Sequence, residues 1–209
     1  MKKLIDINTW KRKEHYNFFV TFTEPFFGVV ANVDCKSAYN RAKEMGVSFM
    51  LYYLHKSLRA VNEIEEFRIR IENEQPYLYD VVHGGSTTMN ADGLFAFSFL
   101  PFSPDFDTFY ASAKAELDRI KTISGLNATP ESTRIDLIQY STVPWIHFTG
   151  LTHARNYNRP DSCPKISFGK CVEQDGKMFM PVALNANHAL ADGEHAGRYF
   201  ELFQQYLNE

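Results

Sequence analysis

Residues 181–193 read Pro-Val-Ala-Leu-Asn-Ala-Asn-His-Ala-Leu-Ala-Asp-Gly, and no other stretch of the chain restricts its fold so narrowly. Val182, Leu184 and Ala186 alternate onto one side and His188 falls in with them, so a strand here aims a titratable ring along an apolar face. Residues 190–193 are turn-like, and beyond them Ala196, Tyr199, Phe200, Phe203 and Leu207 recur at helical spacing. The unit is strand, tight turn, helix. Its chemistry has two accounts on spacing alone. Asp192 is an N-cap with Gly193 easing the turn and His188 is a core histidine bonded to a carbonyl, or His188 is a general base at a site.

The rest of the composition narrows the class. A chain of 209 residues can bury a sizeable core, and no linker or low-complexity run divides it, so residues 1–209 are expected to form one domain. The 18 Phe and 11 Tyr suit large contact surfaces or an aromatic-lined pocket. A formal net charge of -3 leaves no basic excess for neutralising phosphates, which argues against nucleic acid. No apolar run reaches membrane-spanning length and residues 1–10 lack the apolar centre of a signal peptide, so the expectation is a cytoplasmic protein without membrane contact. Cys35, Cys163 and Cys171 are odd in number and lack metal-ligand spacing, which fits a reducing compartment and no metal.

In chain order, residues 1–17 read as a polar, solvated first helix. Phe18, Phe19, Phe22, Phe26 and Phe27 then crowd around Pro25, as core or as the wall of an apolar pocket, and residues 29–33 read as a strand. Asp34 and Ser48 are expected helix caps, with Gly46 stopping the first of the two helices. Phe67, Ile69 and Ile71 alternate with Arg68 and Arg70, and with residues 77–82 they predict a hairpin turning at Gln75-Pro76. Residues 87–91 and 94–99 are further strands. Ser103-Pro104-Asp105 opens a helix with the stripe Phe106, Phe109, Ala113, Leu117 and Ile120. Residues 135–151 are expected to be rich in strand, and 166–172 to pair with 178–187 across Asp175-Gly176. Strands outnumber single amphipathic helices, which makes the class α+β, a sandwich of helices on a mixed, largely antiparallel sheet.

The spacing His188-x-x-x-Asp192-Gly193 resembles the signature of coenzyme-A-dependent acyltransferases. With it go Trp10-x-Arg12-x-Glu14-His15, Asp34, Ala60-Val61-Asn62, Pro144-Trp145, residues 164–170 and Pro181. In that order and at closely similar spacing, they make the whole chain resemble the chloramphenicol acetyltransferase family. The resemblance implies a histidine base, His188, that takes the proton of an acceptor hydroxyl as it attacks the thioester of acetyl-CoA. That task needs one ring nitrogen free and the other fixed as a donor, in the family toward the histidine's own carbonyl. It also implies that Asp192 pairs with Arg12, a residue that otherwise reads as a solvated helix charge, and that the pair positions the strand end.

Other positions carry over with changes. The family's serine donor to the oxyanion is Gly150 here, and losing such a donor costs about a hundredfold in rate; Thr149 or a water are the available substitutes. Ser167 replaces a threonine held to bind water near the intermediate. Phe19 replaces a tyrosine beside the drug, and with Phe18, Phe27 and Phe97 it supplies apolar lining. The segment 152–163 carries His153, Arg155, Asn156 and Asp161 where the family is apolar, so buried polar groups are expected to face the acceptor unpaired. Lys170 matches a coenzyme-region lysine, while positions near Ser48 and Met50 differ. The implied protein is a homotrimer with sites between subunits, acetyl-CoA as co-substrate, no permanently bound cofactor, and chloramphenicol or a related small hydroxyl compound as acceptor. The competing implication of Gly150 is a weak or inactive small-molecule-binding homologue on the same scaffold.

Overall fold

A computed structural model describes residues 1–157 and 161–209; residues 158–160, inside the 152–163 segment discussed above, lie outside the described residues. In chain order the first half contains β1 (Lys2–Leu4), α1 (Lys13–Phe19), β2 (Phe26–Asp34), α2 (Lys36–Glu44), α3 (Phe49–Asn62), a 3-10 turn (Glu65–Arg68), β3 (Ile69–Glu72), β4 (Gln75–Tyr79), β5 (His83–Met89) and β6 (Phe95–Leu100). The second half contains α4 (Phe106–Ile120), β7 (Leu137–Val143), β8 (Lys165–Gly169), β9 (Val172–Gln174), β10 (Lys177–Asn187) and α5 (Gly193–Leu207). The main sheet runs β2-β10-β8-β7-β5-β6, with β9 added beside β10, and β1-β4-β3 form a small second sheet. Only β5–β7 and β7–β8 are parallel among the described pairs. The architecture is the α+β sandwich expected from the sequence.

Alternation decides which face of the sheet is covered. Val182, Leu184 and Ala186 of β10 and Ile166 and Phe168 of β8 join Leu51, Leu54 and Leu58 of α3 and Tyr199 and Phe203 of α5 in one buried cluster. Each such side chain contributes on the order of 2 kcal/mol by leaving water. Ser57 ties this core together, its hydroxyl 2.9 Å from the Tyr140 hydroxyl and 2.8 Å from that of Tyr199. Neither tyrosine therefore buries an unpaired oxygen. The β9–β10 hairpin turns through Asp175 (φ 50°) and Gly176 (φ 78°), the two left-handed residues of a type I′ turn.

Several local expectations are corrected. Residues 1–17 are not one helix: β1 pairs with β4, and α1 begins only at Lys13. Phe67 and Arg68 lie in the 3-10 turn, and the hairpin turns at Asn73 and Glu74, both with positive φ, so Gln75 and Pro76 already belong to β4. Asp34 closes β2 and Cys35 stands at the N-cap of α2, although the Asp34 carboxylate still accepts from the Lys36 amide at 3.1 Å. Of the Ser103-Pro104-Asp105 run expected to open a helix, Asp105 is the residue that caps α4. Beyond Val143 residues 144–151 form no strand; the chain leaves the sheet there and crosses as irregular backbone. Among the described residues no helix is long and apolar enough to cross a membrane.

Candidate active site

β10 ends at Asn187, and His188 begins the turn into α5. Its amide donates to the Pro25 carbonyl at 2.7 Å, pinning the turn to the start of β2. Nδ1 lies 3.1 Å from the carbonyl oxygen of Ala191. A carbonyl can only accept, so Nδ1 carries a proton, and in the neutral ring Nε2 keeps a lone pair. The partner differs from the one the resemblance implied. The carbonyl of His188 itself accepts from Arg12 Nη2 at 3.3 Å, while the tight turn brings the Ala191 carbonyl back over the ring. The imidazole lies parallel on Phe19, with ring centroids 4.3 Å apart and planes 7° apart, and tilted on Phe27 at 4.7 Å. One nitrogen is fixed and one face is stacked, which leaves Nε2, free of a hydrogen-bond partner among the described residues, as the ring's functional atom.

Asp192 proves to serve both readings of its position. It is the N-cap of α5, accepting from the Glu194 amide at 3.1 Å, and its other oxygen is 2.7 Å from Arg12 Nη1. Burial pushes the carboxyl up, but the Arg12 hydrogen bond and the neighbouring charges of His195 and Arg12 outweigh it and hold the group down to about 2. Arg12 is no solvated charge, with its side chain only 12% exposed. His195 belongs to the same network: Nδ1 is 2.8 Å from Asp192 and Nε2 3.2 Å from Glu66. The only trace of His195 in the sequence is its place three residues after the cap, where a capping box puts its partner.

The remaining predicted residues form two further groups. Thr149 and Gly150 are exposed on the irregular stretch after β7, and a Cβ built on Gly150 meets nothing within 4 Å. That stretch is tied to Lys170, whose amide donates to Ile146 O at 2.8 Å and whose carbonyl accepts from His147 Nδ1 at 2.9 Å. Ser167 sits in β8 between Ser141 of β7 and Ala183 of β10, fully buried, its hydroxyl without a partner among the described residues. Phe18 is 61% exposed and lies edge-on to Phe19. Phe97 is elsewhere: β6 is the sheet edge opposite β2, and there Phe97 lines a cavity of about 470 Å³ with Phe95, Gln139, His153 and Lys165. One chain thus assembles His188, Phe19, Phe27, Arg12 and Asp192, and does not bring Phe97 to them.

The expectation of unpaired polar groups in the 152–163 segment is largely overturned. Arg155 lies 3.2 Å from Glu24 and stacks 3.5 Å over Phe26, and Lys165 pairs with Asp161. His153 is the exception, with a buried Nε2 that has no partner among the described residues.

Comparison with known proteins identifies the family. The family model described as chloramphenicol acetyltransferase matches residues 2–204. The chloramphenicol acetyltransferase of Bacillus pumilus is 30% identical over 202 residues, covering 96% of this chain and 91% of its own length. That of Clostridium butyricum is 27% identical over 207 residues, covering 97% and 93%. A solved chloramphenicol acetyltransferase superposes with a TM-score of 0.91 at 34% identity, over 99% of this chain and 100% of that one. The dihydrolipoamide acetyltransferase of Azotobacter vinelandii, at 16% identity and a TM-score of 0.64 over 94% of this chain and 86% of that one, shares the fold. With a family match running through nearly all of the sequence and a close superposition over all but a few residues, the chain belongs to the chloramphenicol acetyltransferase family.

Proposed function

We propose that the chain transfers the acetyl group of acetyl-CoA to a hydroxyl of chloramphenicol or a related small molecule, with His188 as general base. The observation that carries the proposal is the Ala191 carbonyl on Nδ1, which leaves Nε2 as the proton acceptor. Nε2 takes the hydroxyl proton as the oxygen attacks the thioester carbonyl. The tetrahedral oxyanion then collapses, the C–S bond breaks, and Nε2 returns the proton to the departing sulfur. Both substrates are bound together and no acyl-enzyme forms. Arg12 and Asp192 perform no chemistry; they hold the turn that aims the ring. Ser167, whose buried hydroxyl has no partner among the described residues, suits a water beside the intermediate. Lys170 is assigned to coenzyme binding and Phe18, Phe19, Phe27 and Phe97 to the acceptor wall.

Phe97 lies at the far sheet edge from β2, which favours a homotrimer in which the His188 of one subunit faces the Phe97 cavity of its neighbour. We take residues 1–209 as one domain of a cytoplasmic enzyme, with acetyl-CoA as co-substrate.

A thiol-release assay with acetyl-CoA and chloramphenicol tests the proposal. His188→Ala is expected to lower turnover by about a hundredfold or more. Gly150→Ser, which the open space at that position accommodates, is expected to raise it by restoring an oxyanion donor. Full turnover in His188→Ala would remove His188 from the mechanism, and no release from the parent protein would exclude chloramphenicol as acceptor.

A further inference from the structure

Cys35 and Cys171 have no part in the chemistry above, yet their Sγ atoms are 3.6 Å apart and both thiols are free. β10 fixes their meeting. Phe179 is partnered by Asp34 of β2 on one side and by Val172 of β9 on the other, so the residue before Cys35 and the residue after Cys171 flank the same strand position. Cys35 is held further by its amide, which donates to Met178 O at 2.7 Å, and by its carbonyl, which accepts from the Tyr39 amide at 2.9 Å inside α2. Cys171 lies between β8 and β9, outside regular structure. Whatever adjustment the pair makes falls on its side.

The two thiols are unequal. Cys35 is fully buried and Cys171 is partly exposed. The hydrogen bond between the two thiols, together with burial, pushes the Cys35 thiol up, and the same bond draws the Cys171 thiol down; Cys35 Sγ also donates to Met178 O at 3.2 Å. The attacking thiolate is therefore the one that solvent reaches, and the resolving thiol is the one behind it. Cys163 takes no part: it is buried elsewhere, its Sγ 3.2 Å from Ile135 O.

We propose that Cys35 and Cys171 form a reversible dithiol–disulfide site that exchanges with low-molecular-weight disulfides, RSSR. The Cys171 thiolate attacks one sulfur of RSSR, breaks its S–S bond and releases RS⁻. Cys35 then loses its proton and attacks Sγ of Cys171, releasing the second RS⁻. Each RS⁻ takes up one of the two protons the cysteines have given up. The protein loses two electrons and two protons, and RSSR becomes two RSH. The sulfurs need to approach by only about 1.5 Å to reach disulfide length. Because Lys170 bonds to Ile146 and His147, the same displacement is passed to the stretch that carries Thr149 and Gly150.

The test reads the covalent bond itself and is independent of acyl transfer. Folded protein is equilibrated in mixtures of glutathione and glutathione disulfide of increasingly oxidising poise, quenched with acid, alkylated, and digested without reduction. The expected product is a peptide pair joining Cys35 to Cys171 within one chain, with Cys163 alkylated, and it disappears when reduced glutathione is restored. Cys35→Ser is expected to stop at a glutathione adduct on Cys171, while Cys171→Ser leaves Cys35 unmodified. Three alkylated cysteines at every poise would overturn the proposal, as would a bridge to Cys163 or between chains, or a parent protein that stops at the adduct. The parent result stands whether or not either variant folds.

Discussion

The Asp192 carboxylate, four residues after His188, caps α5, pairs with Arg12 and touches His195. Its carboxyl is held down to about 2 from an ordinary 3.8, so the unfolded chain binds the proton first as pH falls. The stabilisation is complete above the ordinary value and is lost as pH drops through the depressed one. With the Asp192 side chain 33% exposed, solvent screening limits the pair to about 1 kcal/mol. Arg12→Ala should therefore unfold at lower urea than the parent at pH 7, with the gap closing toward pH 2.5; an equal gap at both pH values would place its origin elsewhere. His188, Asp192 and Gly193 were legible from spacing, because a strand end, a cap and a turn residue must follow in that order. The Ala191 carbonyl, His195 and Glu66 were not, since their approach depends on the path of the turn and on contacts distant in sequence.

Arg70 shows where periodicity stops short at the scale of elements. Alternation with Ile69 and Ile71 reads as a charged face, but Arg70 is 0% exposed. Nε donates to Ile135 O, Nη1 to Phe67 O and Ile69 O, and Nη2 to Leu137 O. A period of two tells which residues share a side and says nothing of what covers that side. Here the small sheet lies against the start of β7, and the fork of one guanidinium satisfies carbonyls from both. Arg70→Met should lower stability by about 2–4 kcal/mol, because it leaves several buried acceptors unpaired; an equilibrium unfolding curve within about 0.5 kcal/mol of the parent would refute this. The β9–β10 hairpin was readable, because Asp-Gly demands its turn. The stretch after Pro144-Trp145 was misread as strand, because its apolar residues pack without a neighbouring edge: Phe148 is buried, while Trp145 is 71% and Ile146 57% exposed.

The whole molecule was legible as α+β from the count and order of its elements, whereas only the family resemblance, and no pattern of residues, spoke for a site divided between subunits. His188 follows β10, while Phe97 lies on the edge strand β6 of the same sheet, a separation that no periodicity in the sequence reveals. Light scattering is expected to give three times the mass of the chain, and a mass equal to one chain would contradict the shared site. The join between Arg12 and Asp192 spans 180 residues of sequence. During synthesis the arginine leaves the ribosome long before its carboxylate is made, and β10, which pairs with β2, β8 and β9, also arrives late. The corner around His188 thus depends on contacts between the two ends of the chain, which are slow to close. A translation product cut short before Lys177 keeps α1 to α4, lacks the strand that unites the sheet, and offers quality-control proteases an open apolar edge in place of an enzyme.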